Sequence, residues 1–193
     1  MTVDDIITKI RYRLADYTDE SYDDDTLLTY INDGAVDFAM TGAFQTYHDF
    51  TTAGSNAYED LSAMTYAWLN VFGVQYNGGK IDHAPPQEMM DWNAAAGTPK
   101  GWAVWGDLVY MDAIPTASNT VKVWYVFIPD AVTSVANTSP VDDKWAPALV
   151  AYAVGRCLDQ NREETSKPTQ EYVMLKATAQ KLYEGQMMSG GFA

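Results

Sequence analysis

The spacing of hydrophobic residues changes twice along this chain, and that change limits the folds that the chain can adopt. Near both ends, apolar residues recur every three or four positions, which is typical of one face of an α-helix. Between about residues 46 and 141 they alternate with polar residues or form short runs, which is typical of β-strands. We therefore predict helices at both ends and β structure between them.

The N-terminal zone, residues 1–45, predicts two helices. The first carries the stripe Val3, Ile6, Ile7, Ile10 and Leu14, and the second carries Leu27, Leu28, Ile31, Ala35 and Phe38 and stops near Gly42. Thr2 with Asp5 can cap the first helix, and Ser21 with Asp24 can cap the second.

The run Asp23, Asp24 and Asp25 could chelate a hard cation, but it lacks the glycine and the distal glutamate of a calcium loop. A helix start, where negative charge offsets the helix dipole, is the favoured interpretation.

The middle zone, residues 46–141, predicts strands and tight turns. Residues 71–76 and 80–81 flank Asn77, Gly78 and Gly79, and residues 102–105 and 108–111 flank Gly106 and Asp107. Each set is typical of a β-hairpin, because Asn-Gly and Gly-Asp tolerate the positive φ of such turns. Residues 121–128 predict a third strand that is apolar on both faces, and residues 87–96 predict a short helix.

The C-terminal zone predicts two more helices in residues 142–187, followed by a tail, residues 188–193. The first helix carries the stripe Ala146, Leu149, Val150, Ala153, Val154, Cys157 and Leu158, and the second runs from about Thr169 to Met187. The predicted fold class is α+β: a helical bundle formed by N- and C-terminal helix pairs, with a β-rich insertion of hairpins or a small sheet in the middle. Residues 1–193 are predicted to form a single domain.

Charge and cysteine content restrict the partners. The formal net charge of −14 disfavours binding to nucleic acid or to an anionic membrane. The one cysteine, Cys157, allows neither an intrachain disulfide nor a cysteine-based metal cluster, and it is predicted to lie in the core. The N-terminus lacks the pattern of a signal peptide, and no apolar run is long enough to span a membrane, so we expect the cytosol or a particle assembled there.

Motifs for catalysis are missing from the sequence. It contains no dinucleotide fingerprint, phosphate loop, zinc-protease motif or nucleophile elbow. His48 and His83 lie on predicted loops, far apart in the sequence, and are predicted to be surface residues. Arg156, beside an apolar stripe, could form a buried or interfacial ion pair or could be solvated. We therefore expect no catalytic residues, no metal and no cofactor.

Aromatic residues make up 13% of the chain, and several of them lie on the predicted strands of the middle zone. Trp102, Trp105, Tyr110, Trp124 and Tyr125 could form a platform for carbohydrate. They could instead pack a small sheet and its protein neighbours, since strands favour aromatic residues. Packing is the favoured interpretation.

Several segments, in this order, resemble the head-to-tail adaptor family of tailed bacteriophages. They are residues 25–35 (DTLLTYINDGA), 97–102 (GTPKGW), 106–115 (GDLVYMDAIP), the strand at 121–128 with Pro129, and residues 145–156 (WAPALVAYAVGR). Each motif is simple, but their order and spacing are specific. Residues 45–64 do not match the pattern of the family.

The resemblance implies a structural virion protein without enzymatic activity. It implies a homo-oligomeric ring, a dodecamer, that lies under the portal protein, docks a tail, nozzle or head-completion protein, and lines a channel through which DNA passes without specific binding. It implies a place in the neck of a virion assembled in the host cytoplasm. An alternative from another class is a carbohydrate-binding module or tail appendage that presents an aromatic β-sheet to host glycans.

The C-terminal segment, residues 186–193, combines flexible and apolar residues. Glycine lets a backbone approach a partner closely, and Met and Phe side chains fill pockets adaptably. We therefore predict that Met187, Met188, Gly190, Gly191 and Phe192 contact another chain in an extended conformation. That the other chain is the portal follows from the resemblance alone.

Overall fold

A computed structural model describes residues 1–16, 21–92 and 95–188. The chain divides into two compact units. The sheet unit is Phe44–Ile128, and the helical unit combines the described residues before Phe44 with those after Ile128.

The first helix, α1, is Val3–Leu14, and its predicted cap is confirmed. The Thr2 side chain accepts a hydrogen bond from the Asp5 backbone, and the Asp5 carboxylate accepts one from the Thr2 backbone at 2.8 Å. This reciprocal pair satisfies two N–H groups that have no partner inside the helix. The predicted stripe is buried at Val3, Ile6, Ile7 and Ile10.

The second helix, α2, is Asp24–Ala39, and all five residues of its predicted stripe are buried. Its cap differs from the prediction. Asp23, and not Ser21, accepts a hydrogen bond from the Thr26 backbone at 2.8 Å. Asp23 lies immediately before the first helical residue, where a side-chain oxygen can reach the third N–H of the helix. Ser21 lies too far upstream to do so.

The helix α3, Ala146–Gln160, is the centre of the helical unit. Helices α1, α2 and α4, where α4 is Ser166–Met188, each pack against it. Burial therefore extends around most of α3 and includes Leu149 and Cys157, neither of which is exposed at all. Such a helix needs apolar residues on nearly every side, which explains its long apolar run.

An irregular segment after the sheet unit is tied to the first two helices. The amide of Asn32 on α2 donates to the Val132 carbonyl at 2.9 Å and accepts from the Val132 N–H at 2.8 Å. The Val3 N–H donates to the Asn137 carbonyl at 2.9 Å. These bonds satisfy backbone groups that no helix or strand pairs.

Gly34 on α2 permits close packing against α3. A Cβ added at Gly34 would lie 2.9 Å from Cδ1 of Tyr152 and 3.2 Å from its Cγ. Cγ is the first atom of the ring, so it moves away only if the Tyr152 side chain turns about its first bond or the two helices separate.

We expect Gly34→Ala to lower the free energy of unfolding by about 1–2 kcal/mol, because overpacking outweighs the gain in helix propensity. Gly155→Ala on α3 is the matched control. A Cβ there meets only Thr169 Oγ1 at 3.7 Å, an ordinary contact, so this variant should be as stable as the parent or more stable. Chemical denaturation of the three proteins measures both effects. Equal gains in stability at both positions would contradict the close contact.

The sheet unit contains one seven-stranded sheet with the order β1-β7-β3-β4-β5-β6-β2. Its strands are β1 (Gln45–Thr51), β2 (Tyr58–Asp60), β3 (Trp68–Tyr76), β4 (Gly79–His83), β5 (Gly101–Trp105), β6 (Leu108–Met111) and β7 (Thr120–Phe127). Neighbouring strands are antiparallel except β4 and β5, which pair in parallel over two residues.

Both predicted hairpins are confirmed. In the β3–β4 turn, Asn77 has a φ of 48° and Gly78 a φ of 79°, and in the β5–β6 turn Gly106 has a φ of 59°. The buried faces of the strands enclose one apolar cluster, whose members without any exposure include Val74, Val109, Val121, Val123 and Tyr125.

The predicted helix at 87–96 is instead a 3₁₀ helix, Pro86–Asp91. Asn93 and Ala94, which belong to the predicted range 87–96, lie outside the described residues.

The predicted fold class, a helical bundle with a hairpin or small-sheet insertion, is wrong. The middle of the chain forms a seven-stranded sheet that is a compact unit in its own right, Phe44–Ile128. The prediction omitted β1 and β2, which lie in the region 45–64 that matched no pattern. Phe50 is the one buried residue of β1, and β2 has three residues, so neither strand carries a strong local signal. These two strands form the edges of the sheet, and the pairing of β7 with β3 and of β4 with β5 joins the predicted hairpins and β7 between them.

Candidate functional site

The two histidines do not form a polar site. Both lie in strands, His48 in β1 and His83 in β4, rather than on the predicted loops. The His48 ring lies 4.7 Å from that of Phe50, and the His83 ring lies 4.6 Å from that of Trp102. In the described ranges, no group of three or more histidine, cysteine or acidic residues could hold a metal ion.

The acidic run at 23–25 is the start of a helix, as predicted. The hydrogen bond from Thr26 lowers the pKa of Asp23. Asp24 forms an ion pair with Arg11 of α1 at 3.0 Å, and Arg11 also donates to the Tyr22 carbonyl. These contacts bind the end of α1 to the start of α2.

Cys157 is a core residue, as predicted. Its side chain is fully buried on α3, and burial raises its pKa to about 12. A thiol with so high a pKa is protonated at neutral pH and is a poor nucleophile. Cys157 therefore contributes packing.

The five aromatic residues considered for a carbohydrate platform do not share one surface. Trp102 and Tyr125 are buried in the core of the sheet unit, at 3% and 0% exposure, whereas Trp105 is 61% exposed. Trp124 precedes Tyr125 on β7 and projects from the opposite face of the sheet. The structure therefore supports the packing interpretation.

An aromatic pair that the sequence did not indicate lies on that opposite face. The Tyr47 ring on β1 lies 5.0 Å from the Trp124 ring, and Nζ of Lys122 lies 3.7 Å from the centre of the Tyr47 ring. Lys122 also forms an ion pair with Asp49 at 3.6 Å. The lysine covers the tyrosine ring, so these contacts stabilise the pairing of β1 with β7.

Arg156 is exposed on α3, which supports the solvated alternative over a buried ion pair. Its guanidinium carbon lies 5.9 Å from the centre of the Tyr30 ring. It lines an open cavity between α3 and α4 with Tyr152, Thr169 and Tyr172. Asp159 also lines this cavity, so the cavity carries both signs of charge.

A polar cluster between α2 and α4 was also not predicted. The Asp37 carboxylate accepts hydrogen bonds from the Tyr172 hydroxyl and, at 2.7 Å, from Lys176 Nζ. Burial alone would raise the pKa of Asp37, but these hydrogen bonds outweigh it and lower the pKa. The cluster joins the two helices across 135 positions of sequence, a separation that no local pattern reveals.

An open cavity of about 410 Å³ lies between α1 and α3. We call it the α1–α3 groove, and it is lined by Thr8, Lys9, Tyr12, Arg13, Pro147 and Val150. Tyr12 is 72% exposed, whereas Val150 is buried and forms part of the floor. Arg13 makes a bidentate ion pair with Glu171 of α4, at 2.8 and 3.0 Å.

A second exposed apolar feature lies on α2. Thr29, Asp33, Val36 and Met40 are spaced four, three and four residues apart, so they form one stripe along the helix, and all four are exposed. We call this stripe the α2 ridge. Val36 is 43% and Met40 67% exposed. The sequence marks these two surfaces only by apolar residues that lie outside the buried stripe of their helix. They are Tyr12 on α1 and Val36 and Met40 on α2.

The predicted contact segment at the C-terminus is only partly described. Helix α4 continues to Met188, so Met187 and Met188 are its last residues, and the prediction that residues 186–188 are extended is wrong. Gly190, Gly191 and Phe192 lie outside the described residues. Their predicted contact with another chain remains a prediction.

No helix in the described part of the chain combines the length and the apolar character that crossing a membrane requires.

No curated protein matches the chain significantly. A family model described as SU10 adaptor protein matches residues 1–191. This match covers nearly the whole chain and confirms the resemblance drawn from the segments between Asp25 and Arg156. The chain therefore belongs to the SU10 adaptor protein family, a family of phage head-tail adaptors, and is a structural protein of a bacteriophage.

Proposed function

We propose that the chain is a head-to-tail adaptor that forms a ring between the portal and the tail of the virion. The observation that carries this proposal is the family match over residues 1–191. A match of that extent takes in both the helical unit and the sheet unit. In this proposal the entire chain acts as one adaptor domain.

The proposed partners are other virion proteins and further copies of the chain. One side of the ring contacts the portal protein, and the other contacts a tail, nozzle or head-completion protein. The ring is proposed to be a dodecamer in the neck of the virion, assembled in the host cytoplasm. The chain binds these partners and catalyses no reaction.

The charge of the chain is compatible with a channel for DNA. With a formal net charge of −14, the protein repels phosphate groups on average. Proteins hold DNA non-specifically by neutralising phosphates with lysine and arginine, so an acidic channel wall would let DNA slide past without being retained. We propose that DNA crosses the ring without sequence-specific contacts.

The C-terminal segment is proposed to attach the ring to the portal. Met187 and Met188 end α4, and Gly190, Gly191 and Phe192 follow them in the sequence. Adaptable apolar side chains beside glycines suit a segment that docks in a groove of another protein.

Particles assembled without this chain test the proposal. We expect heads that package DNA but carry no tail, because the protein that joins them is missing. Purified chain added to such heads together with tails should restore infectious particles. Heads that join tails at the normal rate without the chain would contradict the adaptor function.

A further inference from the structure

We propose that copies of this chain associate head to tail, with the α2 ridge of one copy seated in the α1–α3 groove of the next. The inference rests on the ring under Proposed function and specifies the two surfaces that would form it. Both surfaces belong to the helical unit, and they share no residue. Such an interface is heterologous, so each copy uses one surface on each of two neighbours.

The apolar residues of the ridge match the groove in length, and the floor of the groove is also apolar. Val36 and Met40 lie four residues apart on the ridge, which is a rise of about 6 Å along a helix. The groove is lined by Lys9 and Arg13 on α1, which are also four residues apart, above a floor of Pro147 and Val150. A methionine adapts its unbranched side chain to an irregular groove, and the exposed Tyr12 ring can cover it.

The charges of the two surfaces are opposite. On the groove, Glu171 pairs with Arg13. Lys9 forms no ion pair among the described residues, and its charge acts on Asp5 of the same helix. Beside the ridge, Lys176 pairs with Asp37. Asp33 on the ridge forms no ion pair in the part of the chain that the structure describes, so its negative charge is available to a neighbour. Opposite charges at the rim of an apolar contact favour the correct partner and orientation, although they add little affinity. A copy of this chain therefore fits the groove better than a basic partner would.

The two surfaces lie at the same height along α3. Gly34 faces Leu149 and Tyr152, since a Cβ added there would lie 2.9–3.4 Å from atoms of those side chains. The Phe38 ring lies 5.5 Å from the Trp145 ring, so Val36 is level with the middle of residues 145–152. The groove floor, Pro147 and Val150, belongs to the same stretch. A neighbour can thus be generated by rotation with little shift along the helices. Rotation without translation closes a ring, whereas an added translation produces an open filament.

Analytical ultracentrifugation of three variants of the full chain tests the interface. Val36→Glu places a carboxylate in the centre of the ridge, and Tyr12→Glu places one in the groove, where the apolar residues of the ridge would lie. Each should weaken self-association of the parent by at least about tenfold, since a charge buried in an apolar contact lacks a partner. Val173→Glu on α4 is the matched control, because Val173 is 57% exposed and belongs to neither surface. It should associate like the parent. All three positions are exposed, and unchanged thermal unfolding will verify their folds.

An equimolar mixture of Val36→Glu and Tyr12→Glu tests the head-to-tail arrangement. One variant keeps an intact groove and the other an intact ridge, so the mixture should form dimers and no larger species. A parent that stays monomeric at every concentration reached would overturn the proposal. So would variants that associate like the parent, or a mixture without dimers. Each of these results would contradict the proposed interface. None of them would contradict the adaptor function, provided that the parent still joins heads to tails.

Discussion

Replacing Leu149 with alanine should lower the free energy of unfolding by about 2–5 kcal/mol. Leu149 is fully buried on α3, and three other helices pack against that helix. The deletion removes apolar contacts and leaves a cavity that the packed helices cannot fill. Because a domain is stable by only about 5–15 kcal/mol, this single change should remove a large share of the stability.

Urea denaturation of the parent and the variant measures this loss. Leu182→Ala on α4 is the matched control, since the same atoms are removed from a side chain that is 46% exposed. The control should change the free energy of unfolding by no more than about 0.5 kcal/mol. Similar midpoints for Leu149→Ala and the parent would contradict the central position of α3.

Deleting residues 189–193 should abolish attachment of the chain to DNA-filled heads while leaving its thermal unfolding unchanged. The deleted residues follow the end of α4 at Met188, so every helix and strand of the described chain is retained. Ordering such a segment costs about 1–2 kcal/mol per residue, and contacts with a partner must offset that cost. Phe192 is the residue that can bury the most apolar surface among those deleted.

Sedimentation of heads with labelled protein measures the attachment. A variant of full length with Phe192 replaced by alanine separates the role of the aromatic ring from that of the backbone, and we expect it to lower occupancy strongly. Truncated protein that binds heads with full occupancy would show that the portal contact lies elsewhere in the chain. That result would not affect the self-association proposed for the α2 ridge and the α1–α3 groove.

The helices could be predicted from the sequence because their signals are local. The stripe of α1 and its cap at Thr2 and Asp5 lie within one short segment, and the structure confirms both. The β3–β4 hairpin was predicted for the same reason, since Asn77 and Gly78 define its turn. In each case, residues close in sequence determine the conformation.

The sheet could not be predicted as a whole because its pairing is not local. β1 pairs with β7 from Gln45 with Val126 to Thr51 with Thr120, so partners lie dozens of residues apart. β2 has three residues and is recognisable only from its pairing with β6. The prediction of a small insertion failed because strands at the edges of a sheet have weak patterns of their own.

The interaction surfaces could be predicted only in part. The family resemblance indicated a protein that binds other virion components, but it did not indicate which surfaces of the chain bind them. The α1–α3 groove joins Tyr12 to Pro147, and the link from Arg13 to Glu171 joins residues 158 positions apart. Exposed apolar residues such as Met40 stand out only once the buried face of each helix is known.

Electron microscopy of the purified chain mixed with its portal protein will show directly whether the chain forms a ring between portal and tail. We expect a closed ring of copies of this chain on the tail-facing end of the portal, with neighbouring copies in contact through the helical unit. A portal without added density, or copies bound singly to its outer wall, would contradict the proposed adaptor ring.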